Sequence, residues 1–276
     1  MFPIINIMKK VFLLTLALLT CVLGCWSQNR MPRGPRGNRP GGPRTERQMQ
    51  RPRMNPELQK LAQTFQTDSL NVGGNEFYYS LKKFEGNNSD APIVFLYLHG
   101  GGGREGKDNS HVQHSAIKTL NEYITENNLN AIIVAPRCPK GTAWEKIGAN
   151  ITSLLDTVIT RNNADKSRIY LLGTSFGAQG GWGILSQYPD LFAAAQLASA
   201  APKRYTLENV IKTPIFFTLG ENDIDKASKY ESDIKKIQDA GGEIVFNILP
   251  GLNHQQACNA AYTPESVSWL TKHKKK

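Results

Sequence analysis

Arg168–Gly177, RIYLLGTSFG, is the stretch whose reading decides the fold. Its apolar core, Ile169 to Leu172, is too short for a helix and is bounded by Arg168 and Gly173, so Arg168–Leu172 reads as a buried strand. Gly173-Thr174-Ser175-Phe176-Gly177 then gives the pattern G-x-S-x-G, and the Ala/Gly-rich run AQGGWGILSQ that follows has helical character. Glycines on both sides of Ser175 permit a sharp strand-to-helix turn that projects the serine.

Working outward from this unit, strand and helix signals alternate. Further strands are predicted at Phe77–Phe84, Pro92–Leu98, Ala131–Ala135, Phe192–Ala198, Pro214–Leu219 and Glu243–Leu249. Ile147, Ile151, Leu154, Leu155, Val158 and Ile159 place one apolar stripe on a helix, and Tyr230, Ile234 and Ile237 repeat the pattern before Gly241-Gly242 stops it. Strands such as IVFLYL and IYLLG are apolar along their whole length, so both of their faces must be covered. The fold class is therefore α/β: an open, mostly parallel sheet with helices on both faces, over residues 57–272. Only about fifteen residues separate Phe192–Ala198 from Pro214–Leu219, too few for a large cap domain, so an open cleft is expected.

In such sheets ligands meet loops at the carboxyl ends of the strands. Ser175 needs a base, because a serine hydroxyl is a weak nucleophile at its own pKa. Of five histidines, His254 follows a late strand, in LPGLNHQQAC. Asp223, just past Pro214–Leu219 in GEND, is the candidate to orient that base, with Asp225 as its alternative. The glycine run of LYLHGGGG brings backbone N–H groups close to a substrate. Gly101 and Phe176 are candidate oxyanion donors, and Gly102 a further substrate contact. No Lys-Ser/Thr pair follows the run, so it is not a phosphate loop. His99 is expected to hold the loop. His111 and His114 stand close together without a carboxylate or third ligand, so no metal site is assigned.

The net charge of +10 suggests nucleic acid until it is located. Residues 1–56 carry +9, the last five residues hold four lysines, and residues 57–271 carry −3. A mildly acidic core offers no basic groove, so no nucleic-acid partner is expected. Lys9 and Lys10 precede the apolar run Val11–Leu19, which reads as a signal peptide over residues 1–27. Two processing outcomes fit: cleavage after Ser27, or lipidation of Cys25 with attachment to a membrane. Export to the periplasm, the outer membrane or the medium is the expectation. Residues 28–56, rich in Arg, Pro and Gly, cannot build a core and read as a linker, and 273–276 read as a solvated basic tail. Cys138 and Cys258 would remain after processing and either bridge or stand as two buried thiols.

With these residues in view, the sequence resembles the α/β-hydrolase superfamily from about Ile93 to Leu270. The nearest types are exported esterases of the predicted-peptidase and phospholipase/carboxylesterase kind, akin to polyhydroxybutyrate-depolymerase-like and feruloyl-esterase-like enzymes. The resemblance rests on LYLHGGGG with Asp108-Asn109, APRCPKGTAW, SRIYLLGTSFGAQGGW, YPDLFAAA, TPIFFTLGEND and GLNH. It implies hydrolysis of carboxylic esters through Ser175, Asp223 and His254, in that chain order, without a cofactor. Substrates are expected to be short-chain or polysaccharide-attached acetyl or feruloyl esters, with Trp144, Trp182 and Tyr205 lining the cleft. Two departures stand out: Ala178 replaces a usual second glycine, and GENDIDKAS lacks the Val-Pro that often follows the aspartate. A serine peptidase and a non-catalytic glycan-binding protein on the same scaffold are the alternative readings. The oligomeric state is left open.

Overall fold

A computed structural model describes residues 55–104, 108–202, 205–224 and 227–275. The residues read as a signal peptide, with Cys25, those read as a linker up to residue 54, Asp225 and Lys276 lie outside the described residues. The strands are β1 (Gln66–Val72), β2 (Asn75–Phe84), β3 (Ile93–Leu98), β4 (Ala131–Pro136), β5 (Ile169–Thr174), β6 (Ala194–Ala198), β7 (Ile215–Asn222) and β8 (Ile244–Asn253). They form one sheet in the order β1-β2-β4-β3-β5-β6-β7-β8. β1, β2 and β4 pair antiparallel in turn, and every other pairing is parallel.

The α-helices among the described residues are α1 (Pro56–Gln63), α2 (Ser115–Glu126), α3 (Gly148–Asn162), α4 (Phe176–Gln187), α5 (Leu207–Val210), α6 (Glu231–Asp239), α7 (His254–Ala260) and α8 (Pro264–Thr271). Successive side chains of a strand point to opposite faces. Val94, Leu96 and Leu98 of β3 accordingly pack with Ile151, Leu154 and Leu155 of α3 and Trp182 of α4. Ile93, Phe95 and Tyr97 pack on the other face with Ile117 and Leu120 of α2 and Val267 and Leu270 of α8. All six residues of β3, β4 and β5 are buried. Burying one large apolar side chain is worth about 1.5–3 kcal/mol, against about 1 kcal/mol net for a ladder hydrogen bond. The two helical layers therefore hold these strands more than the ladder does.

The seven strands predicted from sequence are all present, and one more, β1, is added at the edge. Its sequence QTDSLNV is polar, and it is turned onto β2 by Gly73 and Gly74 at φ 59° and 84°. Two differences concern the ends of the domain. Helix α1 begins at Pro56, inside the stretch read as linker, with Asn55 accepting the Glu57 N–H at 2.9 Å as its cap. The basic tail is not simply solvated: the Lys275 N–H donates to Ser167 O at 2.9 Å and its ammonium to Leu191 O at 3.2 Å.

Between α4 and β3 the backbones meet at Gly177, where a Cβ would fall inside the carbonyl oxygen of Leu98. Across the loops after β3 and β4, three histidines act as neutral linkers. His99 donates from Nδ1 to Gly100 O at 2.7 Å and accepts the Cys138 N–H on Nε2 at 3.1 Å. His111 donates from Nε2 to Ala135 O at 2.9 Å and accepts from Arg137 Nη2 on Nδ1 at 3.0 Å. His114 accepts the Ala116 N–H at 3.1 Å and so caps α2. Burial drives their pKa values down, to about 3 for His99 and about 4 for His111 and His114.

Gly177→Ala should cost more than about 3 kcal/mol, because backbone must move. At Gly101 a Cβ would meet nothing within 4 Å, so Gly101→Ala should cost less than about 1 kcal/mol; urea-unfolding midpoints compare the two. The histidines bind protons more readily unfolded than folded. Their contribution is complete above the unfolded value of 6.5 and is lost as pH falls from there through about 4 and about 3. From pH 7 to 4.5 one such histidine should remove about 2 kcal/mol, and His111→Gln should flatten that part of the stability–pH curve.

Candidate active site

The carboxyl end of β5 delivers Ser175 into the turn before α4. Ser175 has φ 52° and ψ −114°, a left-handed conformation that costs a non-glycine residue on the order of 1–3 kcal/mol. Packing sustains it. The Ser175 N–H is held by Ala198 O of β6 at 2.8 Å, while Tyr262 donates to Gly173 O at 2.7 Å. At Gly173 a Cβ would press on Gly177 O at 2.7 Å, so strand and helix can fold this tightly only over glycine.

His254 opens α7 directly after β8. Asn253 caps this helix and exchanges hydrogen bonds with Gln256, both at 3.1 Å, which fixes the direction of the first turn. Asp223 follows β7, beside β8 in the sheet. Its carboxylate is buried, and Oδ1 accepts from the Ile224 N–H at 2.7 Å and from His254 Nδ1 at 2.6 Å. With Nδ1 donating, His254 Nε2 is the acceptor, and Ser175 Oγ lies 2.9 Å from it. The three residues singled out in the sequence, from the ends of three different strands, thus form one continuous chain of hydrogen bonds. Of the two acidic candidates, Asp223 occupies the position against His254.

Phe176 is the first residue of α4, where helix geometry leaves the N–H without an intrahelical partner and the helix dipole favours negative charge. Gly101 and Gly102 lie in the short turn Gly101–Arg104 and line the cleft together with Ser175. The space a Cβ would occupy at either is open. The Arg104 guanidinium lies 3.8 Å over the Phe176 ring and donates to Thr142 O at 2.8 Å, tying the glycine turn to the start of α4.

The tryptophans are placed otherwise than expected. Trp144 and Trp182 are fully buried and line neither side of the cleft. Trp144 packs across the backbone of α4 at Gly180 and donates to His99 O at 3.3 Å. Trp182 lies against Phe217 and donates to Ala200 O at 2.9 Å. In both cases the indole N–H finds a backbone acceptor inside the fold, so the ring packs inward. Tyr205 is half-buried against Trp182 rather than in the cleft. Cys138 and Cys258 are separate buried thiols. Cys258 Sγ stands 3.9 Å from His254 Nε2, but burial pushes the thiol up to about 11 and keeps it protonated.

Sequence reasoning missed Ser199, Gln179, Ile224 and Gln255, all of which line the cleft. Ser199 has φ 59° immediately after β6, a second strained residue for which no neighbouring glycine gives a signal.

No protein-family model matches the chain. Acetylxylan esterase A of Emericella nidulans is 34% identical over 84 residues, covering 26% of this chain and 28% of that protein. The chain thus spans less than a third of that relative. A thermostable esterase aligns with a TM-score of 0.68 at 21% identity, over 78% of this chain and 64% of its own. The feruloyl esterase module of Clostridium thermocellum, solved with sinapinate, aligns with a TM-score of 0.56 at 13% identity, over 69% and 81%. Sheet order, the turn at Ser175 and these superpositions agree on the architecture: the chain has the α/β-hydrolase fold.

Proposed function

We propose that the chain is a serine esterase that cleaves carboxylic esters, with short-chain or polysaccharide-attached acyl groups as its substrate class. The observation that carries this reading is the relay Ser175 Oγ to His254 Nε2 at 2.9 Å and His254 Nδ1 to Asp223 Oδ1 at 2.6 Å, open to a cleft. His254 takes the Ser175 proton as Oγ attacks the ester carbonyl, and Asp223 holds the imidazole and then the imidazolium. The N–H groups of Gly101 and Phe176 receive the developing oxyanion, helped by the α4 dipole. His254 returns its proton to the departing alcohol. Water, activated by the same histidine, then releases the acid from the acyl-serine. No step in this sequence calls on a cofactor.

The names of the relatives support the substrate class, since acetylxylan and feruloyl esterases are among them. Support for an open site comes from the chain between β6 and β7, whose described part carries only the four-residue helix α5. The leader and linker read from the sequence make export part of the same proposal.

A fluorophosphonate probe should label Ser175, and Ser175→Ala should abolish labelling and lower kcat on p-nitrophenyl acetate by roughly 10³-fold or more, with an unchanged circular dichroism spectrum. Asp223→Asn should lower kcat by roughly 10³–10⁴-fold, because the wrong histidine tautomer results. Ester hydrolysis that survives Ser175→Ala would sink the assignment. Turnover of peptide p-nitroanilides exceeding that of p-nitrophenyl esters would favour the peptidase reading instead.

A further inference from the structure

Ser175 and His254 sit on the divide between two hollows, one more apolar and one more polar in its lining. The hollow on the β6–β7 side, about 230 Å³, is the more apolar of the two: Phe176, Ala200, Ala201, Leu219 and Ile224 line it together with the polar side chains of Gln179, Ser199 and Tyr230. Its carboxylate, Asp223, is turned onto His254. The hollow on the glycine-turn side, about 260 Å³, is walled by Gly100–Gly103 and by Ser110, Gln113, His114 and Gln255. No Asp, Glu, Lys or Arg is among the described residues lining it, and His114 is held neutral by burial.

Ile224 sharpens the contrast. Its backbone is fixed through the N–H on Asp223 Oδ1, yet the side chain is 80% exposed, the most exposed large hydrophobic among the described residues. A single exposed isoleucine needs no explanation. This one continues an apolar wall to the rim of the cleft, where a bound apolar group would bury it.

An ester spanning the divide has its carbonyl at Ser175 Oγ and one substituent on each side. Beyond the carbonyl an acetyl or butyryl group is apolar and gains from wall contacts, whereas a sugar carries hydroxyls that lose water and must find new hydrogen-bond partners. Resting on the esterase reading above, we propose that the β6–β7 hollow receives the acyl group, with Ile224 setting acyl preference. The neutral polar hollow beside the glycine turn receives an uncharged carbohydrate alcohol, with Gln113 and Gln255 as its hydrogen-bonding side chains. Both hollows fall below the roughly 300–1,000 Å³ of sites for drug-sized ligands, so each suits one substituent rather than a whole polymer.

The test crosses two selectivity ratios. The acyl ratio is kcat/KM for p-nitrophenyl butyrate over p-nitrophenyl acetate, and the alcohol ratio is kcat/KM for acetylated xylo-oligosaccharide over p-nitrophenyl acetate. Ile224→Ser should lower the acyl ratio roughly tenfold and move the alcohol ratio by less than about twofold. Gln113→Ala and Gln255→Ala should do the reverse, lowering the alcohol ratio roughly tenfold through KM. The opposite pattern, or ratios that stay put in all three variants, would overturn the orientation. A wild-type protein that neither labels with fluorophosphonate nor hydrolyses esters would instead count against the esterase reading on which it rests.

Discussion

Everything at the cleft depends on one strained backbone position. Ser175 at φ 52° is unfavourable in isolation and persists because its surroundings leave it no alternative. β5 and α4 can close to that distance only because Gly173 and Gly177 present no side chain. The same closeness seats α4 on the end of β3, and so aligns the glycine turn with the helix N-terminus. The strain, the helix dipole and the candidate oxyanion donors are therefore consequences of a single packing decision. The energy stored there is small beside the apolar burial in the two layers around the sheet, which is why the fold can carry it.

The loops that face Ser175 are stiffened by a different device. His99, His111 and His114 are buried as neutral rings, and for His99 and His111 each nitrogen has a defined partner on the backbone or on Arg137. A neutral imidazole offers one donor and one acceptor about opposite each other, so it can join two loops without bringing a charge inside. The lone pairs of His111 and His114 are engaged in this way by protein groups, by Arg137 and by the Ala116 N–H. Asn109 works in the same way at the sheet edge, donating to Ala62 O and Phe65 O and accepting from Thr67 and Ser80.

Legibility in the sequence tracked physical cause. Fully apolar strands were readable because burial on both faces demands unbroken hydrophobic runs, and the turn at Ser175 was readable because glycine alone tolerates the approach. The union of Ser175, Asp223 and His254 followed from where loops lie in a parallel sheet. β1 escaped because an edge strand with one solvated face needs few apolar residues, although Gly73-Gly74 marked its hairpin. Trp144 and Trp182 were misplaced for a related reason. An aromatic near a cleft in sequence can serve packing or binding, and which it does depends on whether the indole N–H finds an internal acceptor. Ile224 could not be singled out because its exposure depends on the backbone anchoring at Asp223.

The hydrogen bonds from Lys275 bear on how the molecule can be mounted. They fasten the segment after α8 to Ser167 and Leu191, which precede β5 and β6 and so lie at the opposite ends of the strands from the cleft. A support or label attached beside Lys275 would therefore sit at the opposite ends of the strands from Ser175 and leave the cleft uncovered.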